Sequence, residues 1–270
     1  MTRHNAPRKR FGQHFLASEE TISRIVAAVS PRKGDLVVEI GPGRGAITGG
    51  LARSGALLHA VEFDRDLVPS LRERYASLEN VSIHEADALT FDYTSLGSDL
   101  RIVGNLPYNI STPLLFRMAD ASGSLRDLHF MLQKEVVDRI TASPGTGAYG
   151  RLTIMLGCRM HSEQLFDVPA AAFRPPPKVV SSFIRLWPRE ASEMPVTDRK
   201  LMSQLVAMAF SQRRKTLRNA LKKAVAIDDL AAVHIDPGSR AEEVPVRAWV
   251  ALANRLAAAA ASRIPDAPTG

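Results

Sequence analysis

The sequence predicts an α/β fold followed by a smaller all-helical region, and three observations lead there. Short apolar runs alternate with amphipathic stretches from about residue 36 to 187. A glycine-rich turn, Gly41-Pro-Gly-Arg-Gly45, joins the first of those runs to a helical stretch. Beyond a polar, proline-punctuated segment at 188–198, the apolar spacing is helical. Strand–helix alternation of this kind implies a largely parallel sheet with helices on both faces.

Taken in chain order, strands are expected at Leu36–Ile40, Leu57–Phe63, Val81–Glu85, Leu100–Val103, His129–Leu132, Thr153–Cys158 and Val180–Leu186. Helices are expected at Ala46–Arg53 and Arg65–Leu78, and the later strands come with longer loops at 143–150 and 173–180. Gln133-Lys134-Glu135 reads as a helix start, although it could also orient a ligand. In the C-terminal region, Lys200–Phe210, Gln212–Ala226 and Asp229–Val233 suit helices. Pro245 suits the first turn of another, with Trp249, Leu252 and Leu256 on one face. The domains that follow are a basic arm and first helix at 1–34, an α/β domain at 35–190, a helical domain at 195–261 and a disordered tail at 262–270.

Composition narrows the class. The 270 residues are 45% hydrophobic and 23% charged, an ordinary globular balance. A single cysteine, Cys158, excludes an internal disulfide and a multi-cysteine zinc site, and its apolar surroundings suit the core. The seven histidines show no close metal-ligand spacing, so no metal is expected. The N-terminus has basic residues without an apolar stretch behind them, and no long apolar run follows. A soluble, cytoplasmic protein without membrane association is expected.

Charge supplies the first functional clue. Arg3, Arg8, Lys9 and Arg10 open the chain with no acid among them. Residues 199–223 add eight bases, again without an acid: Arg199, Lys200, Arg213, Arg214, Lys215, Arg218, Lys222 and Lys223. These twelve cations exceed the net charge of +7, so the rest of the chain is net acidic. A charge run is usually a solvated helix face. A basic arm and a basic segment on an acidic body instead point to a polyanion. On a continuous helix, Arg213, Arg214, Lys215, Arg218 and Lys222 fall at spacings that gather much of their charge on one face. With Lys223, they are the expected nucleic-acid contacts, acting on phosphates.

The glycine turn follows Leu36-Val-Val-Glu-Ile40, and glycines there allow a tight turn and close approach of a ligand. Glu62 ends the second expected strand, 17 residues after Gly45, where an acid can accept both hydroxyls of a ribose. Asp87 closes the next strand, placed to take an adenine amino group. Each acid alone could be a cap or a surface residue. Three features at consecutive strand ends instead suit adenosine, leaving NAD and S-adenosylmethionine as candidates. The G-x-G-x-G spacing mildly favours the methyl donor.

The fourth strand runs into Asn105-Leu106-Pro107-Tyr108. An adenine exocyclic amine is a poor nucleophile because its lone pair is delocalised into the ring. The Asn105 side-chain oxygen and the Leu106 carbonyl can accept its N–H bonds and localise that pair. Pro107 biases Leu106 toward an extended backbone, which fixes the direction of its carbonyl. Tyr108 offers an aromatic face for an unstacked base, worth about 1–3 kcal/mol.

Several segments together resemble the ribosomal RNA adenine dimethyltransferases, in particular their small-subunit type. They are RFGQHFL (10–16), VEIGPG (38–43), VGNLPYNISTPLLF (103–116), MLQKEVVDRI (131–140), AYGRL (148–152), FRPPPKV (173–179) and FSQRRKTLRNAL (210–221). The resemblance implies a Rossmann-like S-adenosylmethionine-dependent methyltransferase domain over 35–190 and a small all-α rRNA-binding domain. It implies dimethylation of two adjacent adenosines near the 3′ end of small-subunit (16S) rRNA, within an immature subunit, releasing S-adenosylhomocysteine. The enzyme is expected to be a monomer. By position, Gly41, Gly43, Glu62, Asp87 and Asn105 are implied to contact the donor, with His14 and Leu16 closing the pocket. A histidine stands at 14 where the family carries asparagine, which leaves a backbone contact there. Phe173 is implied as a second aromatic near the target base, against the alternative of a hydrophobic plug. Three rivals remain: an Erm-type large-subunit enzyme, a mainly non-catalytic small-subunit assembly factor, and more distantly a dehydrogenase.

Overall fold

The computed structural model describes residues 14–262 and, for Tyr108, the backbone alone. The basic arm with Arg3, Arg8, Lys9 and Arg10, and the tail from 263 onward, lie outside the described residues. The described chain divides into two compact units, one built from residues up to Val137 with His161–Pro188, the other from Asp138–Met160 with residues from Arg189 onward.

The first unit is organised by a seven-stranded sheet. Its strands are β2 (Leu36–Ile40), β3 (Leu57–Glu62), β4 (Val81–Glu85), β5 (Leu100–Asn105), β6 (Leu125–Gln133), β7 (Met160–Val168) and β9 (Ser181–Pro188). A separate two-stranded ladder pairs β1 (Phe15–Leu16) with β8 (Phe173–Arg174), antiparallel. The large sheet runs β4-β3-β2-β5-β6-β9-β7. Its first five strands are parallel and β9 lies antiparallel to β6. Strand order therefore reverses between β2 and β5, and a parallel sheet opens a ligand crevice at the carboxyl ends of the strands on either side of such a switch.

The parallel strands are apolar because helices cover them. Val37, Val38, Ile102, Val103 and Phe130 are fully buried. Helix α1 (Glu19–Val29) starts under a Ser18 cap, whose hydroxyl accepts the Thr21 N–H at 3.2 Å. It buries Ile25 and Val29 in a core shared with Leu16, Leu51, Met131, Phe173 and Phe183. Helices α2 (Thr48–Ala52), α3 (Val68–Tyr75) and α4 (Tyr108–Asp120) follow β2, β3 and β5.

At the amino ends of β5 and β6, away from that crevice, lies a buried ionic cluster. Arg101 makes paired bonds to Asp127 at 3.0 and 2.9 Å, a bond to Asp35 at 2.9 Å and one to the Val29 carbonyl at 2.7 Å. Arg126 also reaches Asp35, at 2.7 Å. His129 beside it is 1% exposed, and burial pushes its imidazole down to about 4.

The second unit is helical. Helices α5 (Lys134–Ile140) and α6 (Arg151–Gly157) flank the 143–150 loop, α5 beginning in the first unit. α7 (Arg199–Ser211), α8 (Leu217–Ala220), α9 (Ile227–Ala232) and α10 (Val246–Ala261) follow. Trp249 and Leu252 of α10 and Val206 of α7 are fully buried, while Leu256 on the same expected face is only half-buried.

Two expected elements are overturned. Thr153–Cys158 is helical, lying within α6 and its C-cap. Its apolar run is short enough to suit either structure. The Thr153 hydroxyl decides it locally, accepting the Gly150 N–H at 3.1 Å and so capping a helix. Cys158 is buried, as expected, but caps that helix rather than sitting in a strand. Gln212–Ala226 is not one helix. Leu217 and Arg218 donate their N–H groups to the Ser239 and Pro237 carbonyls at 2.8 and 3.0 Å. Those bonds replace the i−4 bonds that a continuous helix needs. β7 has no counterpart among the expected strands, since its half-buried, polar-rich sequence shows little apolar run.

Candidate active site

The glycine turn is shaped by conformation and by contact. Gly41 and Gly43 have φ of 66° and 60°, the left-handed region that favours glycine. A Cβ at Gly43 would come within 3.2 Å of the Phe15 ring. Gly41 donates its N–H to the Val61 carbonyl at 2.9 Å, tying the turn to β3.

Glu62 ends β3 with only 5% exposure. Its carboxylate accepts the Gly43 N–H at 2.9 Å and the Asp64 N–H at 2.8 Å. Burial raises its pKa, and the two backbone bonds oppose that rise. A carboxylate oxygen has a second lone pair, so each can still accept one hydroxyl. Asp87 follows β4, half-buried, and accepts the Leu89 N–H at 2.8 Å.

A cavity of about 210 Å³ opens beside the turn, lined by Phe15, Leu16, Ala17, Glu39, Gly41 to Arg44, Ala46, Ile47, Asn105 and Arg174. It brings together Leu16, Gly41, Gly43 and Asn105 of the expected residues, while Glu62 and Asp87 lie outside its lining. Two residues are not foreseen from the sequence: Glu39, in the lining, and Phe63, outside it but next in sequence to Glu62. Glu39 is 2% exposed, burial pushes its carboxyl up to about 7, and its Oε2 has no hydrogen-bond partner. Phe63, directly after Glu62, is 60% exposed. An aromatic next to an acid at a strand's carboxyl end is the signal that could find it.

The reacting end is built at the close of β5. Asn105 donates from its amide nitrogen to the His14 carbonyl at 3.1 Å, which leaves the amide oxygen as an acceptor. The Leu106 side chain is 2% exposed, and its N–H donates to the Met131 carbonyl at 3.2 Å, anchoring the turn on β6. Its own carbonyl accepts no hydrogen bond from the described residues. Pro107 caps α4 with φ −56° and ψ 136°, and Tyr108 begins that helix. Two acceptors thus sit next to one another in sequence at the crevice.

The N-terminal strand holds this end in place. His14 donates from Nδ1 to the Pro175 carbonyl at 2.8 Å, and Leu16 pairs with Phe173. Phe173 itself is 2% exposed, packed in the core with Leu16 and Phe183. That burial is what the alternative reading, a hydrophobic plug that supports β1, requires. Among the described residues, no group of three His, Cys, Asp or Glu could hold a metal ion. No helix among them is long and apolar enough to cross a membrane.

Comparison with known proteins agrees with this arrangement. A family model described as "Ribosomal RNA adenine dimethylase" matches residues 4–258. The chain belongs to that family. A "Ribosomal RNA small subunit methyltransferase A" of Thiobacillus denitrificans is 53% identical, covering 94% of this chain and 99% of the relative. The protein of that name from Pseudomonas aeruginosa is 49% identical over 93% of this chain and 94% of its own. Among solved structures, a dimethyladenosine transferase from Plasmodium falciparum is similar in fold, with TM-score 0.81, 24% identity and coverage of 91% and 98%. The 23S rRNA methyltransferase ErmE gives TM-score 0.69 at 26% identity, covering 90% of this chain and 99% of its own. A dimethylase family member with a Rossmann-like domain accounts for the sheet order, the glycine turn and the Asn-Leu-Pro-Tyr turn together.

Proposed function

We propose that this chain transfers methyl groups from S-adenosylmethionine to the exocyclic amines of two adjacent adenosines near the 3′ end of small-subunit rRNA. It acts as a cytoplasmic monomer on an immature small subunit. The observation that carries this reading is the pair of acceptors, the Asn105 amide oxygen and the Leu106 carbonyl, at the end of β5 next to the glycine-turn cavity. The small-subunit names of relatives near 50% identity support that substrate over the large-subunit one.

The site suits the donor by its chemistry. Glycines leave room for close approach, Glu62 offers a buried acceptor for ribose hydroxyls, and the unpartnered Glu39 oxygen favours a positively charged neighbour. When bound, the donor supplies an electrophilic methyl on a sulfonium that leaves as a neutral thioether. In the first transfer Asn105 and Leu106 accept the two amine N–H bonds and free the nitrogen lone pair. In the second they hold the one N–H that remains, and each time the methylated nitrogen sheds a proton to water. No strong base is required, so alignment carries most of the rate, with nitrogen and methyl carbon held about 3–3.5 Å apart. Offering labelled donor to separate immature small and large subunits tests the substrate: label is expected in small-subunit rRNA, and label confined to the large subunit overturns the reading.

Glu62→Ala is expected to weaken donor binding by roughly 10-fold or more, the loss of a charge-assisted hydrogen bond, while subunit binding stays near normal. Calorimetry of donor binding beside a filter assay for subunits checks this, and unchanged donor affinity removes Glu62 from the site.

Exposed Arg214, Lys215, Arg218, Lys222 and Lys223 make no ion pair with the described residues. Although they do not share one helix, they remain the proposed phosphate partners. Neutralising Arg214, Lys215 and Arg218 together is expected to reduce the log–log salt slope of subunit binding by about 0.7–0.9 for each phosphate no longer neutralised. A slope unchanged in the triple variant contradicts the assignment.

A further inference from the structure

Arg213, expected among the phosphate contacts, is occupied within its own unit. Its guanidinium pairs with Glu242 at 2.5 Å. It also donates to the Gly147 carbonyl at 2.7 Å and the Tyr149 carbonyl at 3.3 Å. Glu242 closes the circuit through its backbone, whose carbonyl accepts the Gly145 N–H at 2.7 Å. The Tyr149 hydroxyl adds a buried bond to the Val244 carbonyl at 2.8 Å. Three segments remote in sequence, the 143–150 loop, the 212–218 stretch and the 237–244 turn, are thereby tied at one place.

We propose that Arg213 and Glu242 form a clamp that assembles a composite RNA-binding surface from the 143–150 loop and the basic 214–218 stretch. The proposal rests on the rRNA-binding reading above and names the residues that shape its surface. Its physical basis is the exposure of what the clamp holds. Ser143 to Gly147 are exposed, as are Arg214, Lys215 and Arg218, and Arg151 is exposed just after the loop. The loop carries no acid, so an RNA backbone that reaches Arg151, Arg214, Lys215 and Arg218 across it meets no carboxylate from the loop itself. The Glu242 charge is turned to Arg213 and so is neutralised where it stands. Arg213 is accordingly a positioning residue, and Glu242 is an acid that aids the binding of a polyanion.

That last point gives a test by sign. Glu242→Gln removes a negative charge near the RNA surface. If Glu242 had no positioning role, its removal would free Arg213 and tighten subunit binding. The clamp requires the opposite, a weakening of roughly two- to five-fold, the fold-change of a surface ion pair. Arg213→Gln is expected to weaken binding by a similar factor, and the double variant no further than Arg213→Gln alone, since partners in one interaction do not add. Amide exchange at Gly145 reports on the loop directly and is expected to quicken in both single variants. Binding of Glu242→Gln equal to or tighter than wild type overturns the clamp, as does additive loss in the double variant. Failure of the wild-type protein to bind small subunits at all would instead overturn the rRNA reading on which it rests.

Discussion

Asn105→Ala is expected to lower single-turnover methylation by about 100-fold or more, the scale seen when one aligned polar group is removed from a reacting centre. The amide oxygen at 105 is half of the acceptor pair proposed to free the amine's lone pair, and alanine offers nothing in its place. The same amide holds the His14 carbonyl at 3.1 Å, so the variant also loosens the β1 end of the cavity. Subunit binding, for which phosphate contacts elsewhere are proposed, is expected to stay close to normal. Tyr108 separates capture from alignment. Tyr108→Ala should cut turnover through loss of base stacking, whereas Tyr108→Phe should retain most of it because the ring face carries that contact. A phenylalanine variant as inactive as the alanine variant would assign chemistry to the hydroxyl. An Asn105→Ala protein with wild-type turnover would remove the side chain from the mechanism.

Asp127→Ala should have the largest effect on stability, roughly 3–5 kcal/mol. Its carboxylate is 1% exposed and receives two bonds from Arg101, with Arg185 at 3.4 Å. Removing it leaves the Arg101 guanidinium buried, with only Asp35 and main-chain carbonyls to answer its charge. Breaking such a pair costs far more than the pair itself contributes, because the buried guanidinium loses its two-bonded partner without regaining water. The cluster lies at the amino ends of β5 and β6, so activity at the permissive temperature should survive where stability does not. Denaturant unfolding measures the loss. A change below about 1 kcal/mol, the scale of an exposed pair, would show that the cluster is not the ionic core it resembles.

The parallel strands and the site turns are legible in the sequence because each is a local pattern. An apolar run ending in Gly41-Pro-Gly, or in Asn105-Leu106-Pro107-Tyr108, keeps its meaning wherever the chain goes next. What escapes a sequence reading depends on partners distant along the chain. Thr153–Cys158 is short and apolar enough to suit a strand, and the Thr153 cap on the Gly150 N–H belongs to a helix instead. The basic stretch after Ser211 has helical spacing, yet its backbone bonds go to the 237–239 turn. Arg213 looks like any other cation of that stretch until Glu242, 29 residues on, is placed against it. Phe173 shows the same limit from the other side, since its burial comes with the pairing of β1 with β8, which no local pattern announces.

Nucleoside analysis of small-subunit rRNA after incubation with labelled donor tests the central claim most directly. With the wild-type protein, N6,N6-dimethyladenosine is expected at two adjacent positions near the 3′ end. With Asn105→Ala it should be almost absent, although the subunit is still bound. Wild-type protein that binds small subunits and transfers no methyl to them would contradict the claim.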